Sequence, residues 1–154
     1  KFLKKCKSSK IDGLIVVDLP YPENKSFSEK CKRNGINFVQ LVSPTTSIKR
    51  MREIIKISHE MVYMISMIST TGSALKVTTK KIMENYKLIK KISTTKNVAI
   101  GFGITEKTIK SLKKADGLVV GSAICKEISK SIKNRQNAVT NVTNVVRKLK
   151  NKIK

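Results

Sequence analysis

The chain has 154 residues, 40% of them hydrophobic, which is enough for one sizeable core but too little for two independent domains. Its formal net charge is +23. No run approaches the roughly 18 consecutive apolar residues that a membrane span needs, and residues 1–10 carry no signal-peptide pattern. The composition therefore predicts a cytoplasmic protein without a membrane segment, in which residues 1–154 belong to a single domain.

The strong basic charge raises the alternative of a nucleic-acid-binding module, because clustered Lys and Arg neutralise phosphates and release counterions. Here the lysines are spread through nearly every predicted helix, arginine is scarce, and aromatic residues do not alternate with them as a stacking platform requires. This distribution favours a solvated, lysine-rich surface, and we expect no nucleic-acid partner. The three cysteines form no CxxC pair, so no metal site is predicted.

Five short apolar runs rich in β-branched residues are each bounded by Gly, Pro, Asp, Asn or Ser, as in strands buried on both faces of a parallel sheet. Amphipathic segments with helical periodicity follow them, one starting after Ser47, a favoured N-cap residue. In chain order, the sequence predicts strand 13–18, helix 25–34, strand 37–42, helix 48–58, strand 61–66, helix 78–92, strand 97–101, helix 105–114, strand 116–121 and helix 137–153.

Strands that alternate with single helices imply right-handed crossovers and a parallel sheet, either open and doubly wound or closed as a (β/α)₈ barrel. The position of the glycines separates the two. A doubly wound nucleotide-binding sheet has its glycine-rich turn after the first strand, whereas barrels bind phosphate with the loops after strands seven and eight. Glycines here follow the last two strands, so the sequence predicts an incomplete barrel, its C-terminal part, with five parallel strands and their helices.

Two glycine motifs are the candidates for binding chemistry. Gly101 to Gly103 follow the fourth predicted strand and precede a helix, and Gly121 to Ala123 repeat that arrangement after the fifth. Small residues allow backbone amides to approach an anion closely, and Ser122 adds a hydroxyl donor. Either motif alone is equally typical of a tight turn, but the pair in adjacent units predicts a phosphate site.

Other candidates are weaker. The segment 66–79 is long for a connection in such a fold and rich in small polar residues, which is typical of a lid or of an ordinary surface loop. Tyr63 has two interpretations, a substrate-facing hydroxyl or a core residue. We expect His59 to be solvent-exposed and not catalytic, and Asp18 to be a turn residue before Leu-Pro. Paired carboxylates at strand ends, which acid–base chemistry needs, are missing from the pattern.

The sequence resembles the α subunit of tryptophan synthase, which cleaves indole-3-glycerol phosphate to indole and glyceraldehyde 3-phosphate. The resemblance rests on segments that follow one another along almost the whole chain: IDGLIVVDLPYPE, INFVQLVSPTTS, YMISMISTTGS, VAIGFGI and ADGLVVGSAICKEI. GFGI alone occurs in other phosphate-binding barrels, whereas the ordered set is far more specific.

The resemblance implies substrate-binding roles for residues near the carboxyl ends of the strands. These are Thr71 and Gly72 for the lid and phosphate contact, Gly101, Phe102 and Gly103 for the loop after strand seven, Gly121 and Ser122 for the loop after strand eight, Tyr63 facing the substrate, and Val119 packing near the indole ring.

It also implies parts that cannot be mapped onto this sequence. The catalytic glutamate and aspartate of the family would precede Lys1, so this chain alone is expected to be inactive. The expected partner is the β subunit, which carries pyridoxal phosphate, and no cofactor is expected in this chain. Met67 and Ser69 depart from the arginine and glycine usual in the lid. The alternatives are another phosphate-binding barrel enzyme or a non-catalytic basic binding fragment.

Overall fold

The computed structural model describes residues 1–66, 68–70, 73–75 and 78–154. Five strands form one parallel sheet in the order β1-β2-β3-β6-β7, and two more form an antiparallel pair, β4-β5. The elements are α1 Phe2–Ser8, β1 Gly13–Ile15, α2 Glu23–Arg33, β2 Asn37–Val42, α3 Ile48–Ile57, β3 Met61–Ile65, β4 Ile68–Thr70, β5 Ser73–Leu75, α4 Thr79–Ile92, β6 Asn97–Gly101, a 3₁₀ helix Ile109–Leu112, β7 Gly117–Val119, α5 Ser122–Lys133 and α6 Ala138–Asn151.

One face of the sheet, which we call the outer face, packs against the helices. Side chains alternate between the faces of a strand, and the outer set on β2, β3 and β6 is almost completely buried. It joins a core with apolar residues of α3, α4 and α6, while Phe38 packs with Cys6 of α1 and Cys31 of α2. Helices confined to one face contradict a doubly wound sheet and fit consecutive units of a barrel. The buried outer-face residues are Phe38, Gln40, Val42, Val62, Met64, Val98 and Ile100.

Side-chain caps begin α3 and α4 where the sequence predicts these helices. Ser47 Oγ accepts the Arg50 N–H at 3.3 Å, and Thr78 Oγ1 accepts the Lys81 N–H at 3.2 Å. Each cap satisfies an amide that the first helical turn leaves without an acceptor. The predicted starts of α3 and α4 are therefore confirmed to within one residue. None of the helices in the described part of the chain is both long and apolar enough to cross a lipid bilayer.

Four predicted elements differ clearly from the structure. The strand predicted at 116–121 spans only Gly117–Val119. The helix predicted at 105–114 is only the short 3₁₀ helix Ile109–Leu112, and in the turn before it the Thr105 N–H donates to Thr108 Oγ1 at 3.0 Å. The strand predicted at 13–18 ends at Ile15, and Asp18 lies in the turn that the sequence predicts. In the predicted loop 66–79, β4 and β5 pair through Ser69 and Ala74 as a short hairpin.

A polar network joins β6, β7 and α4 at the amino-terminal end of the sheet. The Asp116 carboxylate accepts hydrogen bonds from the Val98 N–H at 2.9 Å, Lys90 Nζ at 3.0 Å and Tyr86 Oη at 3.1 Å. Burial acts to raise the pKa of this carboxyl, but the three hydrogen bonds favour the charged form and hold the pKa below its ordinary value. Asp116 thus connects two strands to the helix that covers them.

We expect Asp116→Ala to lower the free energy of unfolding by about 1–3 kcal/mol, because it leaves the Val98 amide and the Tyr86 hydroxyl without an acceptor. Urea unfolding of the full-length gene product, the complete protein that the gene encodes, checks this. Because the folded pKa lies below the unfolded one, the contribution is complete above about pH 4 and disappears as the pH falls through the folded value. Glu106→Ala, which removes an exposed carboxylate paired with Lys152, is the control and should change stability little. Equal losses would contradict the role of Asp116.

Candidate phosphate-binding site

The amino terminus of α5 lies directly after β7, at the carboxyl end of the sheet. Gly121 is the N-cap, with φ −108°, and its carbonyl accepts the N–H groups of Ile124 and Cys125. The first turn contains no acidic residue, and a Cβ at Gly121 would meet nothing within 4 Å. The first amides of a helix have no intrahelical acceptor and lie at the positive end of its dipole. The α5 terminus therefore presents amides, including that of Ser122, to an open space.

The loop after β6 has an unusual backbone that brings two further amides to this end of the sheet. Phe102 has φ 68° and Gly103 has φ 65°, both in the left-handed region. Successive amides in such turns often form a concave nest that binds anions. Ser66, buried at the end of β3, donates from its N–H to the Gly101 carbonyl at 2.9 Å and from Oγ to the same oxygen at 2.7 Å. Its hydroxyl also contacts the Phe102 carbonyl.

Tyr63 lies across the surface of Gly101. A Cβ at Gly101 would be 1.7 Å from Tyr63 Oη and 2.3 Å from Cζ, so only glycine fits. The ring also meets Phe102 edge to face, with centroids 6.2 Å apart. Burial raises the pKa of the Tyr63 phenol. The missing side chain at Gly101 thus makes room for a phenol that leans towards the carboxyl end of the sheet.

We expect Gly101→Ala in the full-length gene product to reduce the free energy of unfolding by about 1–3 kcal/mol, because the new methyl overlaps the Tyr63 ring. Adding Tyr63→Val removes the ring, so the double variant should lose less stability than the two single variants together. Urea unfolding of the four proteins gives this coupling. Additive losses would show that contact with the Tyr63 ring is not the reason why position 101 requires glycine.

The face of the sheet opposite the helices, which we call the inner face, is largely apolar and less buried. Tyr63 pairs with Leu41 on one side and Ala99 on the other, while Gly101 pairs with Ile65 and Val119 one row nearer the carboxyl end. Val119 is 42% exposed, and Ile15 on the edge strand is 48% exposed. Apolar side chains in these rows form a wall suited to a flat apolar ring.

Most of the sequence-predicted site residues fall at one end of the sheet. Gly101, Phe102 and Gly103 end β6, Val119 ends β7, and Gly121 with Ser122 follows one turn later, while Tyr63 reaches the same end from β3. Thr71, Gly72 and Met67 lie outside the described residues.

Sequence reasoning missed two residues at this end. Ile65 could have been identified from the sequence, because it is two residues after Tyr63 on the same strand and therefore lies on the same face. Ser66 gave no local signal, since its contacts are with residues 35 and 36 positions away.

The expectation that His59 is solvent-exposed is wrong. The ring is half-buried at the amino-terminal end of the sheet, where Nδ1 accepts the Phe38 N–H at 3.0 Å. Nε2 lies 3.0 Å from Ser28 Oγ, whose hydroxyl donates to the Ile57 carbonyl, so Nε2 carries the proton. Burial, together with the nearby charge of Lys96, lowers the pKa of His59 and keeps it neutral. The groove beside it, about 630 Å³, lies at the end of the sheet opposite the glycine loops.

Metal binding has no candidate in the described ranges, where no three His, Cys, Asp or Glu side chains cluster. Beside the two glycine loops, the available groups are backbone amides, the Ser122 hydroxyl, the Tyr63 phenol and apolar side chains, while Asp18 follows β1 on the edge strand and is exposed. Backbone amides at a helix terminus and a nest suit an oxyanion such as phosphate.

Comparison with known proteins shows the family to which the chain is similar. The family model of the tryptophan synthase alpha chain matches residues 1–154. The curated tryptophan synthase alpha chain of Pelagibacter ubique is 68% identical over 152 residues, which are 99% of this chain and 57% of that protein. That of Methanocaldococcus jannaschii is 36% identical over 136 residues, 86% of this chain and 47% of that protein.

Solved structures give the same result. A chain of the tryptophan synthase complex from Pyrococcus furiosus superposes with a TM-score of 0.77 at 32% identity, covering 96% of this chain and 57% of that chain. The α subunit from Legionella pneumophila superposes with a TM-score of 0.81 at 25% identity, covering 99% and 55%. The sequence thus spans about half the length of these relatives, and its five parallel strands form part of a (β/α)₈ barrel. The chain belongs to the tryptophan synthase alpha chain family.

Proposed function

We propose that the protein containing this chain cleaves indole-3-glycerol phosphate into indole and glyceraldehyde 3-phosphate, as a lyase of tryptophan biosynthesis. The observation that carries the proposal is the pair of amide-bearing loops after β6 and β7 in a member of this family. We further propose that residues 1–154 form the C-terminal part of a single barrel domain.

The phosphate group would bind between the two loops. Amides of Phe102 and Gly103 would contact it from one side and the amide and hydroxyl of Ser122 from the other, with Gly121 leaving the approach open. Such a site needs no lysine, because amide dipoles provide the positive potential. Thr71 and Gly72 would add lid contacts, in line with the resemblance of their segment to the family.

The indole ring would lie on the inner face. Ile65 on β3 and Val119 on β7 lie on either side of β6, beside the loops. Tyr63 presents its phenol at the same end of the sheet. Apolar side chains favour the ring over water, while the single hydroxyl provides a directional contact. The phosphate and the ring would then occupy adjoining positions at the carboxyl end of the sheet.

Acid–base catalysis would come from carboxylates that this chain does not supply. The inner-face residues of the five strands include apolar side chains, glycines and one tyrosine, but no carboxylate within the described rows. Cleaving a carbon–carbon bond beside an indole requires proton transfer to the ring and from a hydroxyl. We therefore assign recognition of the substrate to this chain and proton transfer to residues elsewhere in the protein.

The proposed partner is a tryptophan synthase β subunit, which would consume the indole and hold pyridoxal phosphate. One solved structure similar to this chain, at 34% identity, is described as the α₂β₂ complex of tryptophan synthase from Pyrococcus furiosus. We propose no cofactor for this chain itself, and we propose that the protein is cytoplasmic.

The test is the release of indole from indole-3-glycerol phosphate by the full-length gene product. We expect indole and glyceraldehyde 3-phosphate in equal amounts, and faster release when a β subunit from the same organism is added. A protein that binds glycerol 3-phosphate but releases no indole under either condition would favour another phosphate-binding barrel enzyme and overturn the proposal.

A further inference from the structure

Ser66 connects two strands at the carboxyl end of the sheet. It follows β3 directly and is 3% exposed. Its N–H and its hydroxyl both donate to the Gly101 carbonyl, at 2.9 and 2.7 Å, and the hydroxyl also reaches the Phe102 carbonyl. Two successive carbonyl groups of the loop after β6 are thus directed towards one buried serine.

The orientation of these carbonyls fixes the orientation of two amides. In a trans peptide, the C=O of one residue and the N–H of the next point in opposite directions. The N–H groups of Phe102 and Gly103 therefore point away from Ser66. Because β6 lies between β3 and β7 in the sheet, away from Ser66 means towards β7 and the terminus of α5.

The loop after β6 needs a hydrogen-bond partner such as Ser66, because its backbone conformation is not one that Phe102 prefers. Phe102 at φ 68° has a left-handed conformation, which is unfavourable for a non-glycine residue. Phe102 is also 58% exposed, and its ring meets the Tyr63 ring only edge to face, so packing of its side chain contributes little to holding the turn. From β3, Ser66 holds these two peptides through hydrogen bonds to their carbonyl groups.

We infer that Ser66 is a positioning residue that directs the amides of Phe102 and Gly103 at the phosphate group of the substrate. This inference rests on the proposed function. Ser66 does not touch the ligand itself, because its hydroxyl is buried and already donates to the loop carbonyls. Its effect is on the affinity for the phosphate group, equally in the enzyme–substrate complex and in the transition state, so it should change KM more than kcat.

The experiment compares Ser66→Ala with Ser58→Ala in the full-length gene product. Ser58 is a matched control, since it too is 3% exposed and donates through Oγ to a backbone carbonyl, that of Ile54 at 2.8 Å, at the opposite end of the sheet. The Kd for glycerol 3-phosphate is measured by calorimetry, and kcat and KM by indole release. We expect Ser66→Ala to weaken binding about tenfold and to raise KM in step, with kcat nearly unchanged, while Ser58→Ala keeps wild-type affinity.

Ser66→Cys is the second variant in case the alanine variant does not fold. It keeps the size of the side chain but has only a weak S–H donor, so its affinity should fall between those of wild type and Ser66→Ala. Wild-type affinity in Ser66→Ala or in Ser66→Cys, or an equal loss in Ser58→Ala, would overturn the role of Ser66. A wild-type protein without affinity for glycerol 3-phosphate would instead overturn the proposed function on which this role depends.

Discussion

The 154-residue chain on its own is expected to release no indole from indole-3-glycerol phosphate, whereas the full-length gene product releases it. The reason is chemical: the inner-face rows of the described strands present apolar side chains, glycines, two asparagines and the Tyr63 phenol, but no carboxylate. Without a positioned acid and base, the reaction loses at least about two to four orders of magnitude in rate.

The measurement is the time course of indole formation at equal concentrations of the two proteins. The affinity of each for glycerol 3-phosphate is the control, because it separates loss of chemistry from loss of the binding site. Indole release by the 154-residue chain at a rate near that of the full-length protein would mean that its own residues, such as Tyr63, carry the proton transfers.

Gly121→Asp is expected to weaken substrate binding at least about tenfold, which corresponds to roughly 1.4 kcal/mol. The aspartate would place a negative charge beside the phosphate dianion, and at 4 Å with an effective dielectric near 20 one pair of like charges costs about 4 kcal/mol. It would also compete for the same amides, because aspartate is a favoured N-cap and Gly121 is the N-cap of α5.

Because of this competition, Gly121→Asp should lower the affinity for the substrate without lowering the stability of the protein. A Cβ at Gly121 would meet no atom within 4 Å and φ is −108°, so the fold accommodates a side chain there. The free protein should therefore be as stable as wild type or slightly more stable, while its affinity falls. Calorimetric titration and urea unfolding measure the two quantities.

Thr94→Asp is the matched control, since it adds the same single charge at an exposed position before β6, at the other end of the sheet. It should leave affinity nearly unchanged. Equal losses of affinity in the two variants would indicate attraction by the whole basic surface instead of a defined site between two loops. Loss of stability in Gly121→Asp would contradict the open space at the α5 terminus.

The strands were the most predictable part of the fold. The predictions for β2 and β6 match the structure at both ends, because each begins at an asparagine after a polar turn and continues as a mainly apolar run, interrupted in β2 only by Gln40. A parallel strand covered on both faces must have such a run, so composition and length identify it. The order of strands and helices then restricted the architecture to two choices, and glycine position decided between them correctly.

Elements that depend on distant contacts were not predictable. The segment 105–114 has helical periodicity but forms only a 3₁₀ turn, in which Ile109 and Leu112 are buried in the core against residues far away in sequence. His59 looked like a surface residue because nothing nearby in sequence reveals that Phe38 and Ser28 surround it. Helix propensity and periodicity describe a segment by itself, whereas these outcomes depend on its neighbours in space.

The candidate site likewise contains residues that could be identified from the sequence and one that could not. Gly101, Gly103 and Gly121 were identifiable because glycine next to a strand end is a recognisable local signal. The reasons differ among them, however: Gly101 accommodates the Tyr63 ring, Gly103 has a positive φ, and Gly121 leaves open space before a helix. Ser66 has no such signal, because its role depends on a contact across 35 residues.

The central claim is that the loops after β6 and β7 form one phosphate site, and amide NMR tests it most directly. Glycerol 3-phosphate is titrated into the ¹⁵N-labelled full-length gene product at two salt concentrations. We predict that the amides of Gly103 and Ser122 shift together with one Kd and that this Kd changes little with salt, because the site uses a few fixed dipoles. Shifts spread over the lysine-bearing helices, with a Kd that weakens steeply as salt rises, would contradict a defined site and favour a diffuse basic surface.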